Sequence, residues 1–551
     1  MDRTSELPTE ILHQILSLLP TKSAAQATVL SKPWLRAYCT NPHLCFDESD
    51  FCRLGNFHGK FLRLVDDTLE RYRRDENQPI SAFKLCISFC DQTGYDGLVD
   101  KWLDIITQKR ASKVSLSVKC TSESYPERYS LLADTIFAMK FTQQLELNRC
   151  NILLVKQKAL LYEDKIKCGN LKNLTLCSVT VSQLALDSLI SCCQQIQTVS
   201  FQYCIGFHRI HVLKNHPNLL SLSILCCPIV DVHIVDAPKM LSFEYVNRGN
   251  NFDPYSSHHN NVGMCLHTLK IGTCQNLKRV EFVKVAIDGK VLFKLIKKLR
   301  SVKELILHYC RYLRKIKISS STLEVCSIVK CDLLAQAIFD VPKLLSLAFS
   351  DQYRLPCLSF KSASSQSRIS INFEILRDVE QLMHLRRSLV ELRDHVVDLT
   401  LSTISKSLSS ARGIYHLPTL EVEHLVLSYC EFKSATYSSY YDVIFSICWP
   451  KMLTLQCDKR FGKFIRQQWL KKRENRIIKC TWKKYLINAQ IEYKKRTGDD
   501  WMTLDRKMLV ADPRIIEEIY TIRFKQIQKR EKNTFSYISR CIPRWIAHRL
   551  E

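Results

Sequence analysis

The sequence predicts an α/β chain in three parts: a short helical module, a long array of short parallel strands with helices, and a basic helical tail. Three observations predict it. An amphipathic helical pattern is confined to the first 40 residues, a nine-residue apolar phrase then returns a dozen times up to residue 458, and basic residues crowd the remainder. The chain has 551 residues, of which 46% are hydrophobic and 24% charged, which excludes wholesale disorder. No stretch approaches 18 uninterrupted apolar residues, so no membrane-spanning helix is expected. The polar, acidic opening from Met1 to Glu6 does not suit a secretory signal. The expectation is a soluble intracellular chain, working in the nucleus, the cytoplasm or both, with no membrane partner.

The opening module is assigned to residues 1–50. Leu7, Ile11, Leu12, Ile15, Leu18 and Leu19 recur at helical spacing and form a broad apolar face. Pro8 suits a first turn, where a missing N–H has no helical partner, and Pro20 stops the helix. Thr21 is placed to cap a second helix through Ala24, Ala25, Ala27, Val29 and Leu30. Ser31 is placed to cap a third, which carries Trp34, Leu35 and Tyr38. Three helices in about 40 residues bury little surface by themselves. Their surplus apolar area should dock on a partner.

Residues 51–110 read as a linker and first irregular repeat, and residues 111–458 as a solenoid. The phrase there is apolar-x-x-apolar-x-apolar-x-x, closed by Cys or a small apolar residue. Clear copies are Ile196 to Cys204, Leu219 to Cys227, Leu266 to Cys274, Val302 to Cys310 and Val422 to Cys430. Weaker copies begin at Thr142, Leu171, Pro238, Leu323, Pro342, Val396 and Pro450. Most successive closing slots lie 19 to 29 residues apart, the period of a leucine-rich repeat. In such a repeat the two alternate apolar residues point inward from a short strand, and the closing slot turns the chain into the core. Cys150, Cys204, Cys227, Cys274, Cys310, Cys331 and Cys430 then become rungs of a buried ladder. This accounts for much of the 25-cysteine count with reduced thiols acting as small hydrophobes, and calls for neither metal nor disulfide.

Leu7-Pro8-x-Glu10-Ile11-Leu12, Ile15-Leu16-Ser17-Leu18-Leu19-Pro20-Thr21-Lys22 and Val29-Leu30-Ser31-Lys32-x-Trp34 resemble the plant F-box motif in register. Asn41-Pro42-His43-Leu44-x-Phe46-Asp47 is similar to its usual continuation. One departure is Pro33, where the family often has a basic residue; a proline just after a Ser cap is compatible with a first helical turn. The motifs Phe61-Leu62-x-Leu64-Val65-Asp66, Pro79-Ile80-x-x-Phe83-x-Leu85 and Trp102-Leu103-x-x-Ile106, followed by Val114-x-Leu116-x-Val118, resemble the entry into the first repeats of plant F-box/leucine-rich-repeat proteins. The resemblance covers roughly residues 5–458. It implies a substrate-recruiting subunit of a Skp–cullin–F-box ubiquitin ligase, bound to a Skp-family adaptor and through it to a cullin, with the repeats holding a target protein. Carried over residue by residue, the adaptor contacts it implies are Leu7, Pro8, Ile11, Leu12, Ile15, Leu16, Leu19, Pro20, Leu30, Ser31 and Trp34. Some of these must instead pack the three helices on one another, and the sequence does not separate the two groups. The resemblance implies no catalytic residue and no cofactor. Consistently, the chain has no Gly-rich phosphate loop, no His-Glu-x-x-His and no Gly-x-Ser-x-Gly.

Residues 459–551 carry 25 Lys and Arg against 10 Asp and Glu, a net +15 of the chain's +26, whereas residues 1–50 sum to −2. Phe464, Ile465, Trp469, Leu470, Ile477, Ile478, Trp482, Tyr485 and Leu486 alternate there with basic clusters such as Lys471-Lys472-Arg473. Asp512 and Pro513 are placed to open a helix through Ile515, Ile516, Ile519, Ile522 and Ile527. The tail therefore reads as a basic helical cap on the solenoid. The competing reading is a contact with nucleic acid or another acidic surface, which would make the chain a nucleic-acid-associated scaffold. Asn247 to Gly263, with His258 and His259, reads as an inserted loop, and Ser359 to Ser370 as a second polar stretch.

Overall fold

The computed structural model describes residues 6–19, 21–50, 58–89, 97–120, 129–153, 167–212, 216–247, 268–351, 355–363, 367–376, 379–404, 420–429, 445, 447–456, 467, 485, 489–496, 499–505, 507–508 and 521–526. The chain divides into two compact units, residues 1–345 with 358–364, and residues 346–357 with 365–551.

The first unit opens with helices α1 (Thr9–Leu18), α2 (Thr21–Ala27) and α3 (Lys32–Cys39). Pro33 sits in the first turn of α3, and Ser31 precedes it in extended geometry, so the departure from the motif does not break the helix. Leu12, Leu16, Ala24, Ala27, Trp34 and Ala37 form the core of these helices, with Leu7, Ile15, Leu19 and Tyr38 packed half-buried against it.

A ladder of parallel strands follows directly. It runs from His43–Asp47 through Ala82–Phe89, Lys113–Cys120, Gln144–Asn148, Asn173–Cys177, Thr198–Gln202, Ser221–Leu225, Ser242–Val246, Arg279–Val283 and Glu304–His308 to Val325–Val329. The strands are five to eight residues long and each buries its alternate residues, such as Val199 and Phe201 or Leu222 and Ile224. The ladder thus begins inside the F-box continuation, well before residue 111.

Four features depart from the sequence reading. The turns return largely through a second layer of short parallel strands rather than through helices: Tyr129–Leu132 with Cys150–Leu153, Arg209–Val212 with Asp231–Asp236 and Thr268–Thr273, and Lys315–Ser319 with Gln336–Val341. Helices such as Gln183–Cys192 and Gly289–Lys298 serve only some of the repeats. Second, Thr268–Thr273, the described strand within the phrase read from Leu266 to Cys274, belongs to this outer layer. The true rung there is Leu277-x-x-Val280-x-Phe282-x-x-Val285, all four buried, which closes on Val rather than Cys. Third, the copy read from Pro238 is displaced by two residues. Phe243 and Tyr245 point inward, while Leu241 is exposed. Leu241 lies just before strand Ser242–Val246 and has the same parity as Phe243 and Tyr245, so it mimicked the phrase: a two-residue shift preserves the alternation.

The cysteine ladder has a physical basis beyond size. Cys204 Sγ donates to the Leu176 carbonyl at 3.2 Å, and Cys331 Sγ to the Leu307 carbonyl at 3.5 Å. Each thiol therefore satisfies a carbonyl of the preceding rung from inside the core. Cys150, Cys227, Cys274 and Cys310 are buried too, and Cys430 lies outside the described residues.

In the second unit Ser346–Asp351, Arg368–Leu376, Val396–Ile404, Leu420–Tyr429 and Cys448–Gln456 pair in parallel, each with the next. The fourth departure is here. Ile522, expected on a helix, lies on strand Thr521–Gln526, which pairs antiparallel with both Cys448–Gln456 and Ala489–Lys494. Ile522 and Phe524 are buried while Arg523 and Lys525 face the other way, a period of two. Among its described residues, the tail adds antiparallel strands to the sheet, while Gln467, Tyr485, Lys507 and Met508 are helical. Within the second polar stretch, Ser359 to Ala363 and Arg368 to Ser370 likewise lie on strands.

Candidate functional site

The three helices divide the expected contact residues into two groups. Leu12, Leu16 (2% exposed) and Trp34 are the module's own core and present nothing to a partner. Leu7, Ile15, Leu19 and Ser31 are half-buried, Pro20 lies outside the described residues, and Pro8, Ile11 and Leu30 face outward. Sequence reasoning left out three residues from this outer set: Leu18 (85% exposed), Val29 (85%) and Leu35. Leu18 follows Ile11 by seven residues, so both lie on one stripe of α1. That spacing was visible in the sequence, but its orientation away from the core was not. Fully burying such a side chain contributes about 1.5–3 kcal/mol. Leu18, Val29 and Leu30 together therefore leave on the order of 5 kcal/mol of burial unused within the chain.

The module is held firmly on the start of the ladder. The helix His58–Arg74, here α4, places Tyr72 under it, and the buried phenol donates to the Asn41 carbonyl at 2.8 Å. Burial pushes the Tyr72 hydroxyl up from its ordinary pKa, so it stays a donor. Gln78 Nε2 donates to the Cys39 carbonyl at 2.8 Å. The buried carboxylate of Glu48 lies 2.6 Å from His58 Nδ1 and accepts the backbone N–H of Ser88 as well, tying the segment after α3 to both α4 and strand Ala82–Phe89. An exposed apolar surface on a fixed mount is suited to binding another folded protein.

A second surface is the solvent-facing side of the ladder. From Thr198 to Val329, register brings Leu225, Val246, Val283, His308 and Val329 into one row across adjacent strands. The neighbouring row is Ser223, Glu244, Glu281, Ile306 and Ser327, in which Ile306 is buried, and the next is Ser221, Ser242, Arg279, Glu304 and Val325. Immediately beyond the first row, Ser178, Tyr203, Cys226, Lys284, Tyr309 and Lys330 have positive φ. The backbone N–H groups of the first five donate to the next strand, as in Tyr203 to the Leu225 carbonyl at 2.8 Å and Lys284 to the His308 carbonyl at 2.8 Å. The Lys284 and Lys330 ammonium groups lie 5.9 and 5.8 Å from the centre of the Tyr309 ring. The histidines of the inserted loop, His258 and His259, lie outside the described residues, as does the basic cluster Lys471 to Arg473.

The small helical module with unspent apolar surface and the parallel-strand repeat array behind it are each similar to a known family. The F-box domain model matches residues 4–37, and a model described as "FBD-associated F-box protein At5g56370, LRR repeats" matches residues 99–254. Among similar proteins of Arabidopsis thaliana, the putative F-box protein At3g58860 is 30% identical over 209 residues, 36% of this chain and 41% of that protein. The FBD-associated F-box protein At4g10400 is 28% identical over 259 residues, 46% of this chain and 57% of that protein. The F-box/LRR-repeat protein At4g14096 is 30% identical over 206 residues, 36% of this chain and 42% of that protein. The chain spans about half the length of the relatives it matches. The resemblance to plant F-box/leucine-rich-repeat proteins is thereby upheld.

Proposed function

We propose that the chain is a non-catalytic, substrate-recruiting subunit of a Skp–cullin–F-box ubiquitin ligase, acting in the nucleus, the cytoplasm or both. One observation carries the reading. In a region that matches the F-box model, Ile11, Leu18, Val29, Leu30 and Leu35 face outward although the module has a complete core without them. Burial against a Skp-family adaptor would use this surface, with Pro8 at its margin and the half-buried Leu7, Ile15, Leu19 and Ser31 beneath it. Leu12, Leu16 and Trp34 would shape the surface from inside. The adaptor would in turn link the chain to a cullin, and the strand ladder would hold the target. The chain would itself make and break no bonds.

The test is co-purification of the full chain with a Skp-type adaptor, comparing Val29→Asp/Leu30→Asp with the unaltered chain. Both positions are exposed, so the expected result is an unchanged fold by circular dichroism and loss of the adaptor. Undiminished adaptor capture by the double variant would refute the assignment of this surface.

A further inference from the structure

We propose that the outer layer around the helix Gly289–Lys298 binds an acidic segment, rich in Asp or Glu, of another protein. This goes beyond the receptor reading above and does not depend on the adaptor surface.

Positive charge is concentrated there. From Lys284 to Lys317 the chain carries eleven Lys and Arg, all exposed, against Asp288 and Glu304 alone, a net +9. Six of the lysines form one surface. The helix buries Leu292, Leu295, Ile296 and Leu299, which leaves Lys290, Lys294, Lys297 and Lys298 within about 100° of one another on the opposite face. The helix packs on strand Lys315–Ser319, so closely that an added Cβ at Gly289 would strike the Lys315 carbonyl oxygen. Lys315 and Lys317 are outward on that strand, and the Lys317 ammonium lies 5.2 Å from the centre of the Phe293 ring on the helix. Among the described residues none of these six lysines is ion-paired, whereas nearby Lys303 lies 2.6 Å from Glu324 and Arg311 3.8 Å from Asp332. The bordering carboxylates leave the balance as it is. Glu304 is taken by Arg279 at 2.6 Å, and Asp340 on the neighbouring strand accepts from the hydroxyls of Ser319 and Ser362 with Lys361 beside it. Asp288, just before the helix, is the remaining acid.

This arrangement is costly to the free protein. Lys297 and Lys298 suit the negative end of the helix dipole, but Lys290 stands in the first turn, where a cation is disfavoured. Lys294 lies four residues from both Lys290 and Lys298, a spacing at which like charges repel. Carboxylates arriving from a partner remove that repulsion and meet complementary charge. The dimensions choose the class of partner. The ten-residue helix is about 15 Å long, and with the strand beside it the patch covers on the order of 200 Å². Even single modules that bind duplex nucleic acid cover about 600–1,000 Å². No ring is open for base stacking, since Phe293 is half-buried beneath Lys317. A membrane-surface helix presents an apolar face for insertion, and here Val291 is the one exposed apolar residue of the helix. An extended peptide crosses 15 Å in about five residues, so two or three of its carboxylates meet lysines together.

The probe is a fluorescein-labelled peptide of ten alternating Glu and Ser residues, titrated into the full chain by fluorescence anisotropy. We expect saturable binding, weakened by salt and absent when Lys replaces Glu in the peptide. Exposed pairs contribute about 0.2–1 kcal/mol each, so Lys290→Gln/Lys294→Gln/Lys297→Gln should weaken it about 3- to 150-fold. These positions are exposed and the change relieves like-charge pairs, so circular dichroism should stay the same. Neutralising the tail cluster instead, with Lys471→Gln/Lys472→Gln/Arg473→Gln, should leave the affinity within about twofold. Unchanged affinity in the first triple variant would overturn the proposal, as would an equal loss in the second. A 12-base-pair DNA duplex and phosphatidylserine vesicles are titrated alongside. If the first triple variant weakens either of these more than it weakens the Glu–Ser peptide, the face belongs to nucleic acid or to membrane and the proposal falls. The Val29→Asp/Leu30→Asp chain should bind the peptide as the unaltered chain does; lost binding there would overturn the independence of the two surfaces.

Discussion

Leu16 and Leu18 lie two residues apart on α1, and the structure assigns them opposite tasks. Leu16 is 2% exposed and packs within the module's core, whereas Leu18 is 85% exposed and touches little. Truncating a buried leucine to alanine costs about 2–5 kcal/mol, from lost transfer energy and the cavity left behind. Truncating an exposed one stays within about 0.5 kcal/mol. Because the chain has two compact units, one melting curve would blur the effect, so amide hydrogen exchange read peptide by peptide is the better assay. Where exchange follows opening of the helical module, Leu16→Ala should raise rates across α1–α3 about 30-fold to several thousand-fold, tenfold for each 1.4 kcal/mol. Leu18→Ala should leave those rates within about threefold. Equal acceleration in both variants, or a larger one in Leu18→Ala, would show that the division between core and surface is wrong.

Two further outcomes are expected. Gly272 lies so close to the neighbouring strand that an added Cβ would strike the Val235 carbonyl oxygen, so Gly272→Ala should destabilise the first unit by about 1–3 kcal/mol in urea unfolding; an unchanged midpoint would contradict the close approach. Cys326 is buried with its thiol pushed up to about 12, and Cys274 is pushed up to about 11, in both cases chiefly by burial. A raised folded-state pKa gives stability that is present below the unfolded value and lost as pH rises. Unfolding free energy should therefore fall above about pH 9, by at most about 1.4 kcal/mol per pH unit per buried thiol, and Cys326→Ala should show a shallower alkaline slope. The same slope in both proteins would refute the assignment to this thiol.

Much of the architecture was legible because two different periods are written into the chain. The helical spacing of Leu7 to Leu19 and the repeated rung, as in Ile196-x-x-Val199-x-Phe201-x-x-Cys204, each record one buried face, and burial is what sequence periodicity reports. The outer layer was not legible, since strands such as Arg209–Val212 have four residues and no distinctive closing slot. The Arg279–Val283 rung fits the phrase from Leu277 to Val285, but the nearby Leu266 to Cys274 fits it as well and, closing on cysteine, took its place. The strand Thr521–Gln526 was hidden because its isoleucine also fits a helical spacing through Ile515 and Ile519. At the opening module the sequence indicated the helices but could not say which leucines point outward. Ile11 and Leu12, or Leu16 and Leu18, have the same chemistry, and only the positions of α2 and α3 decide between them.

The row of positive-φ corners has an evolutionary consequence. At Ser178, Tyr203, Cys226, Lys284 and Tyr309 the fold asks only for a peptide N–H in a left-handed bend, and residues as unlike as serine, cysteine, lysine and tyrosine meet that demand. The bend is mildly unfavourable for every L-residue, so none of these occupants is selected for comfort. Identity at the rim is thereby decoupled from stability in the interior. A lineage of such proteins can rewrite this margin one letter at a time while the scaffold beneath stays the same.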